Sequence, residues 1–106
     1  MRVALGPLSE FGERPKVKVV GRRHFLVVKI GGEVYVAQSL CPHARWPLGF
    51  AGRCFKARDG EPYVVCAIHG GVWSLRTGSG TVEGRPAPPL KVYEARVEDG
   101  VVYVRL

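Results

Sequence analysis

The chain of 106 residues lacks several features that mark common classes of protein. It has no asparagine and a single glutamine, Gln38, and it has no apolar run long enough to span a membrane. The opening residues Met1-Arg2-Val3 do not begin a recognisable signal peptide. We therefore expect a cytoplasmic protein without membrane insertion. The scarcity of thermolabile amides, together with eight prolines, predicts a heat-adapted source.

Convincing helical periodicity is also missing. Short runs of alternating or β-branched residues are interrupted by Gly, Pro and Asp, which is typical of strands. Strands are predicted at residues 16–20, 24–30, 33–37, 54–58, 63–66, 91–97 and 101–106, with turns at Gly31-Gly32, Asp59-Gly60 and Glu98-Asp99-Gly100. Pro62 should shorten its strand or place it at an edge, and the proline-rich segment 84–89 should be a stiff surface loop. The pattern predicts an all-β sandwich or barrel-like fold in one domain, residues 1–106.

Acidic residues are few beside basic ones, nine against sixteen, which gives a formal net charge of +7. Such a surface suits acidic partners, although a solvated surface without any partner would have the same composition. The basic residues of the first thirty positions, among them Arg22 and Arg23, lack the aromatic platform on which single-stranded nucleic acids stack. We therefore predict no nucleic-acid partner.

Cysteine and histidine are scarce, with three residues of each, yet four of the six lie in two short motifs. These are Cys41-Pro42-His43 and Cys66-Ala67-Ile68-His69. An odd number of cysteines in a short chain without a visible signal favours metal binding over a disulfide framework. Two thiolates and two imidazoles fit a [2Fe–2S] cluster in which His replaces Cys on one iron. The same four donors could instead hold a structural Zn²⁺.

With these motifs the sequence resembles the Rieske-type [2Fe–2S] ferredoxins over nearly its whole length. The similarity extends to residues 5–8, to residues 73–78, and to the segment 84–89, which resembles the family's proline-rich loop over the cluster. It implies stacked antiparallel sheets with a cluster-binding part at about residues 40–90. It also implies one cluster per chain, with one iron bound by Cys41 and Cys66 and the other by His43 and His69.

Departures from the quinol-oxidising members of that family set further expectations. Where those members carry two disulfide-bonded cysteines, this chain has Trp46 and Ile68. Where they carry a Ser and a Tyr whose hydroxyls raise the potential of the cluster, it has Gly71 and Trp73. We therefore expect a potential in the lower half of the Rieske range of about −150 to +300 mV, and a rise when Gly71 is replaced by Ser. The segment 44–65 is also longer than in small ferredoxins.

The resemblance implies a monomeric one-electron carrier between a ferredoxin reductase and a terminal oxygenase or another acceptor. No catalytic residues are predicted, because His24 is the only histidine outside the motifs and a two-His-one-carboxylate iron site cannot be built. Two alternatives stay open. One is a small non-catalytic subunit of a larger oxidoreductase, of the nitrite-reductase type. The other is a zinc-stabilised interaction module whose activity would depend on Arg22 and Arg23.

Four further side chains carry narrower expectations. Cys54 lies outside both motifs and is expected to be a free thiol packed as a small hydrophobe. His24, beside two arginines, is expected at the surface. The two tryptophans, Trp46 and Trp73, could shield the cluster or serve core packing alone.

Overall fold

Strands make up most of the computed structural model, which describes residues 1–42, 45–68 and 70–106, with the backbone alone at 50 and 51. Residues Leu8–Glu10 form a 3₁₀ turn, and α1 is the single turn Leu48–Ala51. The strands are β1 (Arg2–Pro7), β2 (Lys16–Val20), β3 (Arg23–Ile30), β4 (Glu33–Gln38), β5 (Gly52–Lys56), β6 (Pro62–Cys66), β7 (Gly71–Ser74), β8 (Gly80–Val82), β9 (Arg85–Pro86), β10 (Val92–Tyr93), β11 (Ala95–Glu98) and β12 (Val101–Arg105).

The strands form three sheets, in the orders β1-β12-β11, β10-β4-β3-β2 and β5-β6-β7-β8-β9. Every strand pairing among the described residues is antiparallel. The predicted all-β fold of antiparallel sheets is therefore confirmed. Within the described residues, no helix has both the length and the apolar character to cross a bilayer.

Strand β3 explains why the sheets stack. Successive side chains of a strand point to opposite faces, so a run that is apolar throughout buries both faces. On one face, Leu26, Val28 and Ile30 contribute to what we call the first core. On the other, Phe25 and Val27 contribute to the second core. The four-stranded sheet is therefore packed on both sides.

The third predicted hairpin is wrong in its first strand. The run 91–97 does not form one strand, because β10 pairs with β4 whereas β11 pairs with β12. The break falls at Glu94, whose carbonyl oxygen accepts the backbone N–H of Arg105 at 2.9 Å. Upstream, the side-chain oxygen of Gln38 accepts the N–H of Lys91 at 2.7 Å. Alternation within the run could not reveal this change of sheet.

Pro62 and the one-turn helix also differ from expectation. Strand β6 lies between β5 and β7, so it is not an edge, and Pro62 is its first residue, where a strand tolerates a missing N–H donor. The carbonyl oxygen of Pro62 accepts the N–H of Leu75 at 2.9 Å. Helix α1 has only four residues, too few to create a periodic sequence pattern. Segment 84–89 is peripheral as predicted, since it supplies only the two-residue edge strand β9.

Candidate metal centre

The two motif cysteines lie in the same core. Cys41 follows β4 and Cys66 is the last residue of β6, and each is only 1% exposed. Both pack in the first core, together with Val64 and Trp73. The fold thus places two soft sulfur donors that are far apart in sequence in one buried core, in surroundings that exclude water. Such a pair fits half of the ligand set of an iron–sulfur centre.

The other two predicted ligands, His43 and His69, lie outside the described residues, as does Ala44. In residues 1–42, 45–68 and 70–106, no three His, Cys, Asp or Glu side chains are grouped so that they could hold a metal ion. The described geometry therefore bears on the cysteine half of the set, and the complete set of four stays a prediction.

Loop 1, residues 40–47, carries the first motif and is closed by backbone hydrogen bonds. Leu40 and Pro47 form an antiparallel bridge, and the N–H of Cys41 donates to the carbonyl oxygen of Trp46 at 2.9 Å. The N–H of Arg45 donates back to the carbonyl oxygen of Cys41 at 2.7 Å. This turn ends with Arg45 at a φ of 58°, a left-handed conformation that is uncommon for a residue with a side chain.

Loop 2, residues 66–71, carries the second motif and joins β6 to β7. Cys66 pairs with Gly71 at the base of this hairpin. The N–H of Gly70 donates to the carbonyl oxygen of Cys66 at 2.9 Å, and Gly70 has a φ of 68°. In both loops the fourth residue after the cysteine therefore donates to the cysteine's carbonyl and is left-handed. The same hydrogen bond to the cysteine carbonyl is therefore found in both loops, although the motifs have different Cys–His spacings.

Trp73 supports loop 2 from inside the first core, where its side chain is fully buried. Its indole lies over two glycines. A Cβ at Gly71 would come within 2.5 Å of Trp73 Cη2, and Gly80 is the partner of Trp73 across the β7–β8 pair. The indole Nε1–H donates to the carbonyl oxygen of Pro88 at 3.0 Å. Trp73 is therefore a core residue that also anchors the proline-rich segment.

This packing overturns one expectation about Gly71. Replacement by Ser was expected to add a hydrogen-bond donor beside the cluster, but the space for the new Cβ is already filled by the indole ring. A serine there would have to displace Trp73. The sequence signal that could have revealed this is the pair of glycines at 71 and 80 around a large aromatic residue.

Exposed apolar side chains are found on both loops. Leu40 and Ile68 are 42% exposed and Trp46 is 46% exposed. Trp46 is therefore not a core residue, in contrast to Trp73. Apolar groups at these positions give the surface of the two loops a character suited to contact with another protein.

The remaining two side chains follow the sequence predictions. Cys54 is a free thiol on β5 that packs against the first core. Burial raises its pKa to about 12, so it stays protonated at neutral pH. His24 is exposed at the start of β3, as expected.

Comparison with known proteins agrees with this architecture. The family model of the Rieske [2Fe-2S] domain matches residues 2–94. The anthranilate 1,2-dioxygenase ferredoxin subunit of Burkholderia cepacia is 34% identical, over 96% of this chain and 89% of the relative. A chain in the solved complex of reduced oxygenase and oxidized ferredoxin in carbazole 1,9a-dioxygenase is 25% identical, with a TM-score of 0.75 over 97% of this chain and 100% of that one.

A third similarity concerns the fold alone. The putative NADH-dependent nitrite reductase small subunit from Mycobacterium tuberculosis superposes with a TM-score of 0.84, over 100% of this chain and 96% of that one. The two sequences are 19% identical. The shared fold therefore does not choose between a diffusing carrier and a permanent subunit.

Proposed function

Because the chain belongs to the Rieske [2Fe-2S] domain family, we propose that it is a one-electron carrier between a reductase and a terminal oxygenase or another acceptor. The observation that carries the proposal is the burial of both motif cysteines in one core. Cys41 and Cys66 both belong to the first core, and the carbonyl oxygen of each accepts a hydrogen bond from the residue four positions later. This arrangement suits a buried redox centre, and no substrate-binding or catalytic group is needed for such a role.

The proposed ligands are Cys41 and Cys66 on one iron and His43 and His69 on the other, with one cluster per chain. When bound, a cluster of this type accepts and releases a single electron. The chain's own residues keep water from the two cysteine side chains, because both are buried in the first core, to which Val64 and Trp73 also belong. Each cysteine carbonyl is occupied by an N–H from its own loop, which fixes the local backbone.

The structure also supports a low potential for the proposed centre. Donors to the cluster sulfurs raise the potential of such centres. Gly71 has no donor side chain, and the only side-chain donor of Trp73 is engaged with Pro88. We therefore keep the proposed potential in the lower half of the range of about −150 to +300 mV.

The proposed acceptor is an oxygenase, because the similar proteins include a dioxygenase ferredoxin subunit and a chain from an oxygenase–ferredoxin complex. Leu40, Trp46 and Ile68 offer apolar contacts on the loops that carry the proposed ligands. We further propose that the carrier is monomeric and cytoplasmic, and that it comes from a heat-adapted source. Its proposed electron donor is a ferredoxin reductase. A melting temperature above about 90 °C would agree with the proposed heat adaptation.

Redox titration of the anaerobically purified protein tests this function. We expect iron and sulfide in equal amounts and a one-electron transition in the stated range. A protein that contains only zinc and has no redox transition would overturn the proposal in favour of the interaction module. Stoichiometric co-purification with a large oxidoreductase subunit would instead favour the permanent-subunit alternative.

A further inference from the structure

A groove of about 660 Å³ adjoins loop 2 on the side of strand β5. Its walls come from the segment before β2, from the junction of α1 with β5, and from the tip of loop 2. The residues that matter here are Glu13, Arg14, Pro15, Arg53 and Ile68. Because Ile68 belongs to loop 2, the groove begins at the loop that carries the proposed ligands Cys66 and His69.

Arg14 and Arg53 give the described lining of this groove two positive charges against the one negative charge of Glu13. Both side chains are exposed, and neither forms an ion pair with another described residue. Glu13 is the single acidic residue of the described lining. Four other arginines, by contrast, form ion pairs with glutamates, namely Arg2, Arg76, Arg96 and Arg105, the last two with the same Glu94. Arg14 and Arg53 are therefore two unpaired arginines in the lining of a groove that reaches loop 2.

The chemistry of the lining favours an acidic protein segment over a small anion. Arg guanidinium groups bind carboxylates through paired N–H donors. Ala67 and Ile68, which are exposed, add apolar surface to the same lining, and apolar groups together with charged ones are typical of protein interfaces. A free phosphate or sulfate would use the arginines alone.

We propose that this groove docks an acidic segment of the redox partner, with Arg14 and Arg53 binding its carboxylates and Ile68 contacting an apolar side chain. The proposal rests on the carrier function proposed above, and it specifies the polarity of the partner. Opposite charges on two redox proteins speed their encounter and orient the complex, and the effect weakens as salt rises.

The test uses the holoprotein and a charge-reversed variant, Arg14→Glu with Arg53→Glu. The matched control is Arg22→Glu with Arg23→Glu, which changes the net charge equally at two exposed arginines that also lack ion pairs with described residues. The probe is a fluorescent pentapeptide with four glutamates around a central leucine, and its binding is measured by anisotropy at low salt. We expect the dissociation constant to rise about tenfold or more in the groove variant and about twofold in the control.

Two results would overturn the groove proposal. Equal weakening in both variants would mean that only net charge attracts the peptide. Complete displacement of the peptide by millimolar inorganic phosphate would mean an anion site without a specific protein partner. Replacing the leucine of the probe by glycine should weaken binding to the wild type, and an unchanged dissociation constant would contradict the role of Ile68.

A second measurement separates this proposal from the carrier function. Dithionite-reduced wild type and both variants are oxidised by ferricyanide, an anionic electron acceptor, in a stopped-flow experiment. We expect the groove variant to react about tenfold more slowly at low salt, and the control to change much less. Equal rates with an intact redox transition would overturn the groove proposal alone. Absence of any reducible centre in the wild type would overturn the carrier function, whatever the peptide does.

Discussion

Loops 1 and 2 contain the same hydrogen bond to a cysteine carbonyl, but the backbone around each loop is held in a different way. Loop 1 lies between β4 and α1, and its ends are joined by the Leu40–Pro47 bridge and by the hydrogen bond from Leu48 to Ser39. Loop 2 is the end of a β-hairpin whose strands pair directly at Cys66. The left-handed residue is Arg45 in the first loop and Gly70 in the second. The comparison shows that the hydrogen bond to the cysteine carbonyl and the left-handed conformation of its donor residue are common to both loops, whereas the type of the donor residue differs.

The largest expected effect concerns the two cysteines, which should be equally necessary despite their different supports. Cys41→Ser and Cys66→Ser should each abolish the proposed cluster, because an alcohol is a poor substitute for a soft thiolate ligand. Iron and sulfide analysis with visible absorption measures the loss. The matched control is Cys54→Ser, which should keep the cluster because Cys54 lies outside both loops. Full iron content in either loop variant would contradict the proposed ligand set.

The next largest effect should distinguish the tryptophans associated with the two loops. Trp73→Ala removes a fully buried indole and should lower the free energy of unfolding by about 3–5 kcal/mol. Trp46→Ala removes a side chain that is 46% exposed, and it should change the free energy of unfolding by about 0.5 kcal/mol or less. Urea unfolding of both variants measures the difference. Similar losses in the two variants would contradict the assignment of Trp73 to the core and Trp46 to the surface.

A smaller effect should appear at the left-handed residues. Gly70→Ala places a Cβ in a conformation that is unfavourable for an L-residue, and should lower the free energy of unfolding by about 1–2 kcal/mol. Arg45→Gly relieves the same strain but increases the freedom of the unfolded chain, so its net effect should lie within about 1 kcal/mol of zero. The two changes in denaturant midpoint are compared. A stabilising Gly70→Ala would show that loop 2 does not require the left-handed conformation.

The smallest effect concerns the thiol of Cys54, on the strand that pairs with Cys66 through Gly52. Burial raises the pKa of this thiol from its ordinary value of 9.0 to about 12, so burial of the neutral thiol contributes to stability below pH 9. That contribution is lost as pH rises toward 12. At pH 8 the folded protein should resist iodoacetamide at Cys54, and the urea-unfolded protein should react. Rapid labelling of the folded protein, located by peptide mass spectrometry, would show that Cys54 is not protected by burial.

Much of the strand pattern was predictable because local sequence determines it. Alternation and the Gly31-Gly32 turn located β2, β3 and β4 to within a residue or two. The split of the run 91–97 was not predictable, since both of its halves have strand character and the partner of each depends on the rest of the fold. The local alternation of apolar and polar residues does not tell which distant strand a given strand will pair with.

For the candidate site, the motif cysteines and the family were predictable, and the family match confirms a Rieske-type electron carrier. The packing around the site was harder to predict from the sequence. The sequence showed that Gly71 lacks a hydroxyl, but it did not show that the indole of Trp73 fills the space beside it. Nor did it show that the buried thiols share one core, because that depends on how distant parts of the chain pack in the folded protein.

The most direct test of the central claim is electron paramagnetic resonance of the purified protein before and after dithionite reduction. The histidines of the protein are labelled with nitrogen-15 for this measurement. The account predicts a signal that appears only on reduction and carries couplings to two histidine nitrogens. Variants in which either His43 or His69 is replaced should lose the cluster or one of the couplings. A reduced [2Fe–2S] signal without nitrogen coupling, or a silent protein with stoichiometric zinc, would contradict the proposed centre.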